Sequence, residues 1–254
     1  MSERYIQSVD RAIDILELFT PTVMELSVKE ISDRLQLSKS TVHGLIKTLE
    51  HRGYLEQSPV DQKYKLGLRL FELGNLVGGG MELRKLAHPI IRELVEKLQE
   101  TVHLVVLDET EIVYVEKLEG PGALRMYSQI GKRAPLYCTG VGKAIFAFLD
   151  EKKQEEILSR TDLKAFTSYT LTDPTEIRNH MQEIRERGYA IDDEEIELGL
   201  KCVAAPIFNH LGEVVASISC AGPNFRFSAE KMEHIIAEIK KAAQELSKKL
   251  GYRV

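Results

Sequence analysis

The 254-residue sequence has no uncharged stretch longer than Val214–Phe225. Those twelve residues fall well short of the roughly 20 that a membrane-spanning helix needs. Its opening, MSERYIQSVDR, lacks the apolar core of a signal peptide. Three cysteines, Cys138, Cys202 and Cys220, are an odd number with no CxxC spacing, which offers neither a disulfide framework nor a zinc ribbon. There is no internal repeat and no low-complexity tract. Helical membrane proteins, disulfide-stapled scaffolds and repeat arrays are thereby set aside. The cytoplasm is the expected compartment, and no cofactor or metal is expected.

What is present is ordinary in bulk and uneven in distribution. The chain is 43% hydrophobic and 29% charged, values of a globular protein, and its length favours two domains. A net charge of −5 argues against a plain basic nucleic-acid binder. Yet residues 1–37 hold 4 basic and 7 acidic side chains, and residues 38–69 hold 6 and 3, a local excess of +3. A small module with one basic side can be steered to phosphate whatever the total.

The geometry of that basic stretch is legible. Ser8 precedes an apolar face of Val9, Ala12, Ile13, Leu16 and Phe19, a first helix with Ser8 as its expected N-cap and Pro21 at its close. Ser27-Val-Lys-Glu30 reads as a capping box opening a second helix with Val28, Ile31 and Leu35 on one face. After a turn at Leu37-Ser38, Val42, Leu45, Ile46 and Leu49 mark a third helix. Two short helices joined tightly form a helix-turn-helix, whose second helix enters the major groove. Opposite the apolar stripe lie Ser40, Gly44, Lys47 and His51, with His43 on the flank and Lys39 and Thr41 in the first turn. A solvated helix face would look the same. The next residues favour DNA: Tyr54–Gln57 and Gln62–Leu66 read as strands around the turn Ser58-Pro59-Val60-Asp61, the wing of a winged helix. A winged helix that serves only protein contacts remains open, and would show no salt-sensitive DNA binding.

Leu66–Met81 reads as a linker helix ending at a Gly78-Gly79-Gly80 hinge. Beyond it, Leu86, Ile90, Leu94 and Leu98 give a helix with Pro89 in its first turns. Strands are expected at 102–107, 112–118, 123–130, 202–208 and 213–221, and helices at 141–149, 152–159, 174–187 and 229–250. Hairpin spacings around Asp108–Thr110 and Asn209–Gly212 favour antiparallel pairing, so the expected class is α+β with helices packed on a mainly antiparallel sheet. The expected domains are 1–66 (winged helix), 67–84 (linker and hinge) and 85–254 (a second, sensing domain).

QSVDRAIDILELF, LSKSTVHGLIKTLEHRGYLEQ and YKLGLRLFELG resemble the DNA-binding half of the IclR family of bacterial transcription regulators. ETVHLVVL, TGVGKAIFAFL and GYAIDDEEIELGLKCVAAPIFNHLGEVVASISCAGP resemble its effector-binding half, in the same order. The resemblance implies operator contacts at Lys39, Ser40, Thr41, His43 and Lys47. Many members carry arginine where this chain has Gly44, so an operator cannot be borrowed from relatives. It also implies a sensing sheet of the GAF or profilin-like type, a linker helix that helps join subunits into a homodimer or homotetramer, and a small-molecule effector.

Each candidate for chemistry has a plainer reading beside it. Cys138-Thr139-Gly140-Val141-Gly142-Lys143 fails as a P-loop, because the upstream glycine is missing and Ala144 stands where Ser or Thr should hold magnesium. It remains a small-residue turn onto a helix, suited to an anion or simply to a tight helix entry. The resemblance implies that Gly140, Val141 and Gly142 line the effector pocket. Asp192-Asp193-Glu194-Glu195 reads most simply as a solvated acidic turn, with no calcium-loop spacing; the resemblance implies that Asp192 faces the pocket. Cys202 and Cys220 read as buried structural cysteines, and His103 and His210 as structural or surface residues. The resemblance adds Cys202 and Ser219 to the pocket. Some members place a pocket serine where Ala221 stands, which leaves the ligand unnamed. A small carboxylate is the expected effector and double-stranded operator DNA the expected macromolecular partner. The rival is a cysteine- or carboxylate-based hydrolase with a regulatory N-terminal module, which would need a nucleophile–base pair that no spacing here shows.

Overall fold

The computed structural model describes residues 5–121 and 128–253 and divides at Gly80–Met81 into two compact units. In the first, α1 (Gln7–Glu17), α2 (Val28–Leu35) and α3 (Lys39–His51) are followed by β1 (Leu55–Gln57), β2 (Tyr64–Leu66) and α4 (Leu68–Gly80). The core is Ile15, Leu26, Ile31, Val42, Ile46, Leu55 and Tyr64. The capping box of α2 is complete: the Ser27 side chain accepts from Glu30 N, and Glu30 accepts from Ser27 N at 2.8 Å. Ser38 caps α3 by accepting from Thr41 N at 3.2 Å. β1 and β2 pair antiparallel, Leu55 opposite Leu66, and Leu26 adds a bridge to Tyr64 beneath the wing.

Two local expectations change. The N-cap of α1 is Ile6, with no side-chain bond, and Ser8 lies inside the helix. Val9 and Ile13 are exposed, while Ile15 enters the core. This helix carries apolar residues on two sides, and periodicity alone does not choose which side meets α3. The glycines 78–80 are helical, and the chain leaves helical geometry at Met81 instead. Glycine lowers helix propensity by about 1 kcal/mol against alanine but forbids nothing.

The second unit opens with α5 (Glu82–Leu98), with Pro89 well inside it, not in its first turns. Then come β3 (Thr101–Asp108), β4 (Glu111–Leu118), β5 (Arg133–Pro135), α6 (Gly140–Phe146), α7 (Glu151–Arg160), α8 (Pro174–Arg187), β6 (Ala190–Asp193), β7 (Leu200–Phe208), β8 (Val214–Pro223) and α9 (Ala229–Lys249). Six strands form one antiparallel sheet in the order β5-β4-β3-β8-β7-β6. Alternate residues face opposite ways along a strand. Val102, Leu104, Val203, Ile218 and Cys220 therefore pack with α5 and α9. Val105, Ile112 and Ala204 pack with α6, α7 and α8 on the other face. The short strands β5 and β6 escape sequence reading because three or four residues carry no alternation. The strand expected at 123–130 falls mostly outside the described residues.

Candidate effector pocket and DNA-binding face

On the face of the sheet that carries α6, a cavity of about 40 Å³ is lined by Gly140, Val141, Asp192, Cys202 and Ser219 together with His103, Tyr114, Ser128, Thr139 and Glu197, among others. Gly140 and Val141 on α6, Asp192 on β6, Cys202 on β7, Ser219 on β8, His103 on β3 and Tyr114 on β4 meet here. Strand pairing sets Asp192 on β6 opposite Cys202 on β7, and Ala204 opposite Ser219 on β8. α6 then lays its first residue over them: a Cβ on Gly140 would stand 2.8 Å from Cys202 Sγ and 3.5 Å from Asp192 Cβ. Glycine is the residue that allows this approach.

Gly142 does something else. It is absent from the cavity wall, and a Cβ there would stand 2.7 Å from the Leu136 Cα and carbonyl oxygen. Its N–H bonds Thr139 Oγ1 at 3.0 Å. Gly142 is therefore a packing glycine beneath the pocket, and its expected place in the pocket wall is corrected.

The acidic turn is not solvated where it matters. Lys143, fully buried in α6, pairs with the Glu195 carboxylate, bonds the Ile191 carbonyl at 2.5 Å and lies 3.4 Å from His180 Nε2. The lysine of the incomplete P-loop pattern thus ties α6 to the segment after β6. Glu195 itself is raised above the usual carboxylate range by burial, with Lys143 opposing. Asp192, 2% exposed, accepts from Glu195 N at 2.8 Å. Burial pushes its pKa up to about 7, against the pull of Lys143 and of two backbone N–H groups. Near neutrality Asp192 is thus divided between carboxylate and neutral acid.

The folded state therefore holds a proton that the unfolded chain releases near pH 4, so stability falls as pH rises from about 4 to about 7 and levels off above. Asp192→Asn keeps the hydrogen-bond acceptor and removes the charge. Relative to that variant, the wild type should lose roughly 2 kcal/mol between pH 5 and pH 7. Urea denaturation of both proteins at the two pH values checks this, and parallel pH profiles would contradict it.

Sequence reasoning misses His103 as a pocket residue. It is buried, its Nε2 lies 2.8 Å from Ser128 Oγ, and its Nδ1 lies 3.4 Å from Ser219 Oγ. The Tyr114 ring meets it edge-on at 5.4 Å. Burial, then Lys117, pushes its pKa down to about 3, so the imidazole is neutral. The one signal in the sequence is its place at the end of TVH, on the pocket side of an alternating strand. The cysteine- or carboxylate-based hydrolase reading needs a base beside its nucleophile, and an imidazole this weak is far from the value that general-base catalysis at neutral pH favours. Cys202, in turn, is pushed up to about 12 by burial and then by Asp192, which keeps it a thiol and not a nucleophilic thiolate.

In the first unit, the outer face of α3 presents Lys39, Ser40, His43 and Lys47, all exposed, with Thr41 half-buried. The Thr41 hydroxyl lies 2.9 Å from Ser38 Oγ, so it shares in the helix cap. Lys47 pairs with Glu50 at 2.7 Å on the open surface. Lys39 makes no ion pair among the described residues. Around Gly44 there is open space, with nothing within 4 Å of an added Cβ.

Comparison with known proteins agrees with this arrangement at both ends. Residues 8–59 match the family described as the IclR helix-turn-helix domain, and residues 77–248 match bacterial transcriptional regulator IclR C-terminal. The HTH-type transcriptional regulator XynR of Escherichia coli (strain K12) is 39% identical over 247 residues, which span 97% of this chain and 98% of that one. The transcriptional repressor IclR of the same organism is 32% identical over 248 residues, 97% and 90% of the two chains. An IclR homologue from Microbacterium hydrocarbonoxydans, crystallised with 4-hydroxybenzoate, superposes with a TM-score of 0.84 at 26% identity, covering 96% of this chain and 98% of that one.

Proposed function

The chain belongs to the IclR family of bacterial transcriptional regulators, and from that membership we propose a repressor. It holds operator DNA through Lys39, Ser40, Thr41, His43 and Lys47 and lets go when a small organic acid fills the cavity at Gly140, Val141, Asp192, Cys202 and Ser219. Residues 1–66 carry DNA recognition, 67–84 the joint and 85–254 the sensor. The protein works where the operator is, in the cytoplasm, and has no catalytic role.

One observation supports the effector class above others. Among the described residues, the N–H groups of Gly140 and Val141 have no protein acceptor, and they border an Asp192 that takes up a proton near neutrality. Two free donors and a neutral carboxylic acid suit a carboxylate; an ionised Asp192 would repel it. Effector affinity should therefore fall as pH rises above about 7. The cavity is far smaller than the roughly 150 Å³ that admits a benzene ring. Short-chain acids need the least rearrangement, and an aromatic acid such as that bound by the Microbacterium homologue needs the walls to move.

A symmetric homodimer or homotetramer is supported by the apolar residues that α4 leaves uncovered, Leu68, Phe71, Leu76 and Val77, with Phe71 70% exposed. Paired modules would read half-sites roughly one helical turn, or a multiple, apart. The DNA assignment is tested by salt. Lys39→Ala and Lys47→Ala should each flatten the plot of log affinity against log salt by about one unit. Lys39→Ala should weaken binding more, because Lys47 exchanges its surface partner Glu50 for a phosphate. Unchanged slopes in both variants, measured by fluorescence anisotropy on a duplex selected by the protein, would remove this face from the interface.

A further inference from the structure

A second cavity of the C-terminal unit, about 410 Å³, shares no lining residue with the effector pocket. Its walls are Phe148, the last turn of α8, the end of β7, the C-terminal half of α9 and Tyr252. Arg185, Arg187, Lys240 and Lys248 line it against a single acid, Glu186, a local balance of 4 − 1 = +3. The sequence from residue 81 to 254 holds 24 basic and 28 acidic side chains, a balance of −4. The cleft therefore runs against the charge of its own domain.

None of the four cations lies in an ion pair among the described residues, unlike Arg84, Lys97, Lys143, Arg178, Arg226 and Lys231 of the same unit. Three of them donate to main-chain carbonyls. Arg185 donates to Ala147 O and Leu149 O at 2.7 and 2.8 Å, Arg187 Nε to Tyr189 O at 2.7 Å, and Lys240 to Arg187 O at 3.0 Å. A carbonyl satisfies a donor and leaves its charge standing. Arg187 Nη2 is buried with no hydrogen-bond acceptor among the described residues. Arg187 and Lys240 both stand over the Tyr189 ring, at 5.0 and 5.6 Å, an arrangement that holds two like charges together. The C-terminal end of α8 opposes an anion with only about half a charge. On the apolar side, Phe208 and Tyr252 stack at 5.1 Å.

We propose that this cleft is a second ligand site, taking a small phosphorylated metabolite. A net +3 is poorly matched by a monocarboxylate, whereas a phosphate monoester brings about −1.5 to −2 and accepts the forked donors of arginine. Its carbon skeleton lies against the Phe208–Tyr252 pair. The volume falls within the range of about 300–1,000 Å³ usual for small-molecule sites.

Calorimetry on the full-length protein tests the site without DNA, so its outcome is independent of the operator reading. The probes are glucose 6-phosphate and AMP, with glucose and adenosine as their neutral counterparts. At least one phosphorylated probe should bind, its neutral counterpart at least twentyfold more weakly. The double variant Lys240→Gln/Lys248→Gln, which alters surface-accessible side chains, should lose at least tenfold for that probe. Gly140→Ala, which fills the effector pocket, should leave it unchanged. The site is overturned if neither phosphate binds, if the double variant binds as tightly as the wild type, or if Gly140→Ala abolishes binding.

Discussion

Lys143→Met should destabilise the C-terminal unit by about 3–5 kcal/mol, the usual cost of breaking a buried ion pair from one side. The lysine is fully buried, and its loss leaves the Glu195 carboxylate without its cation while Glu195 Oε2 already lacks a partner. The Ile191 carbonyl would lose its donor as well. The charge left behind dominates the cost, so Lys143→Met/Glu195→Gln should recover a large part of it. Lys143 also holds the Asp192 pKa down. The single variant should therefore keep Asp192 protonated to higher pH. Urea titration of wild type, single and double variants measures the pair directly. A single variant that unfolds at the wild-type midpoint would mean that Glu195 is already neutral and the pair is not what joins α6 to the acidic turn.

The glycines of TGVGK should respond in opposite ways to the same small change. An alanine at Gly140 meets side chains, Cys202 Sγ and Asp192 Cβ, that floor the proposed effector cavity. That methyl presses on Cys202 Sγ at 2.8 Å and Cys202 Cβ at 3.3 Å in the floor of the cavity, so effector affinity should drop by about a hundredfold, with a smaller stability loss than at Gly142 because a side chain and not backbone has to shift. An alanine at Gly142 meets backbone, the Leu136 Cα and carbonyl oxygen at 2.7 Å, which cannot rotate aside. Overpacking of this kind costs about 1–3 kcal/mol or more. Gly142→Ala should therefore lower stability first and ligand binding only as a consequence. Thermal melts beside effector calorimetry separate the two. If Gly140→Ala binds effector normally, the cavity is not the effector site.

The winged helix is legible in the sequence because each of its parts is a local signal: the capping box at Ser27, the cap at Ser38, the apolar stripe of α3, and the strand–turn–strand after Gly53. Where local signals mislead, the issue is a choice between faces, as at Val9 and Ile13, where the sequence offers two apolar sides and long-range packing selects one. In the sensor, the longer strands declare themselves by alternation, and β5 and β6 do not. The pocket is reached through resemblance for Gly140, Asp192, Cys202 and Ser219. His103, Tyr114 and Glu197 join it only because the order β4-β3-β8-β7-β6 gathers residues of distant sequence around α6. The ion pair of Lys143 with Glu195 spans 52 positions, and nothing in either residue's neighbourhood announces the other. That is why the acidic turn looks solvated in the sequence. Gly142 likewise looks like Gly140 until the Leu136 backbone stands against it.

In the proposed repressor, the cavity at Gly140 and the DNA face of α3 exchange free energy across the passage from α4 to α5. Reciprocal titration tests this most directly. The selected duplex is titrated into protein with and without the organic acid found by calorimetry, then the acid is titrated with and without duplex, in wild type and in Gly140→Ala. Thermodynamic linkage requires the same factor in both directions, about 5–150-fold for couplings of 1–3 kcal/mol. The expected result is weaker DNA binding with acid present, an equal weakening of acid binding by DNA, and neither effect in Gly140→Ala. Tight acid binding that leaves operator affinity unchanged would contradict it.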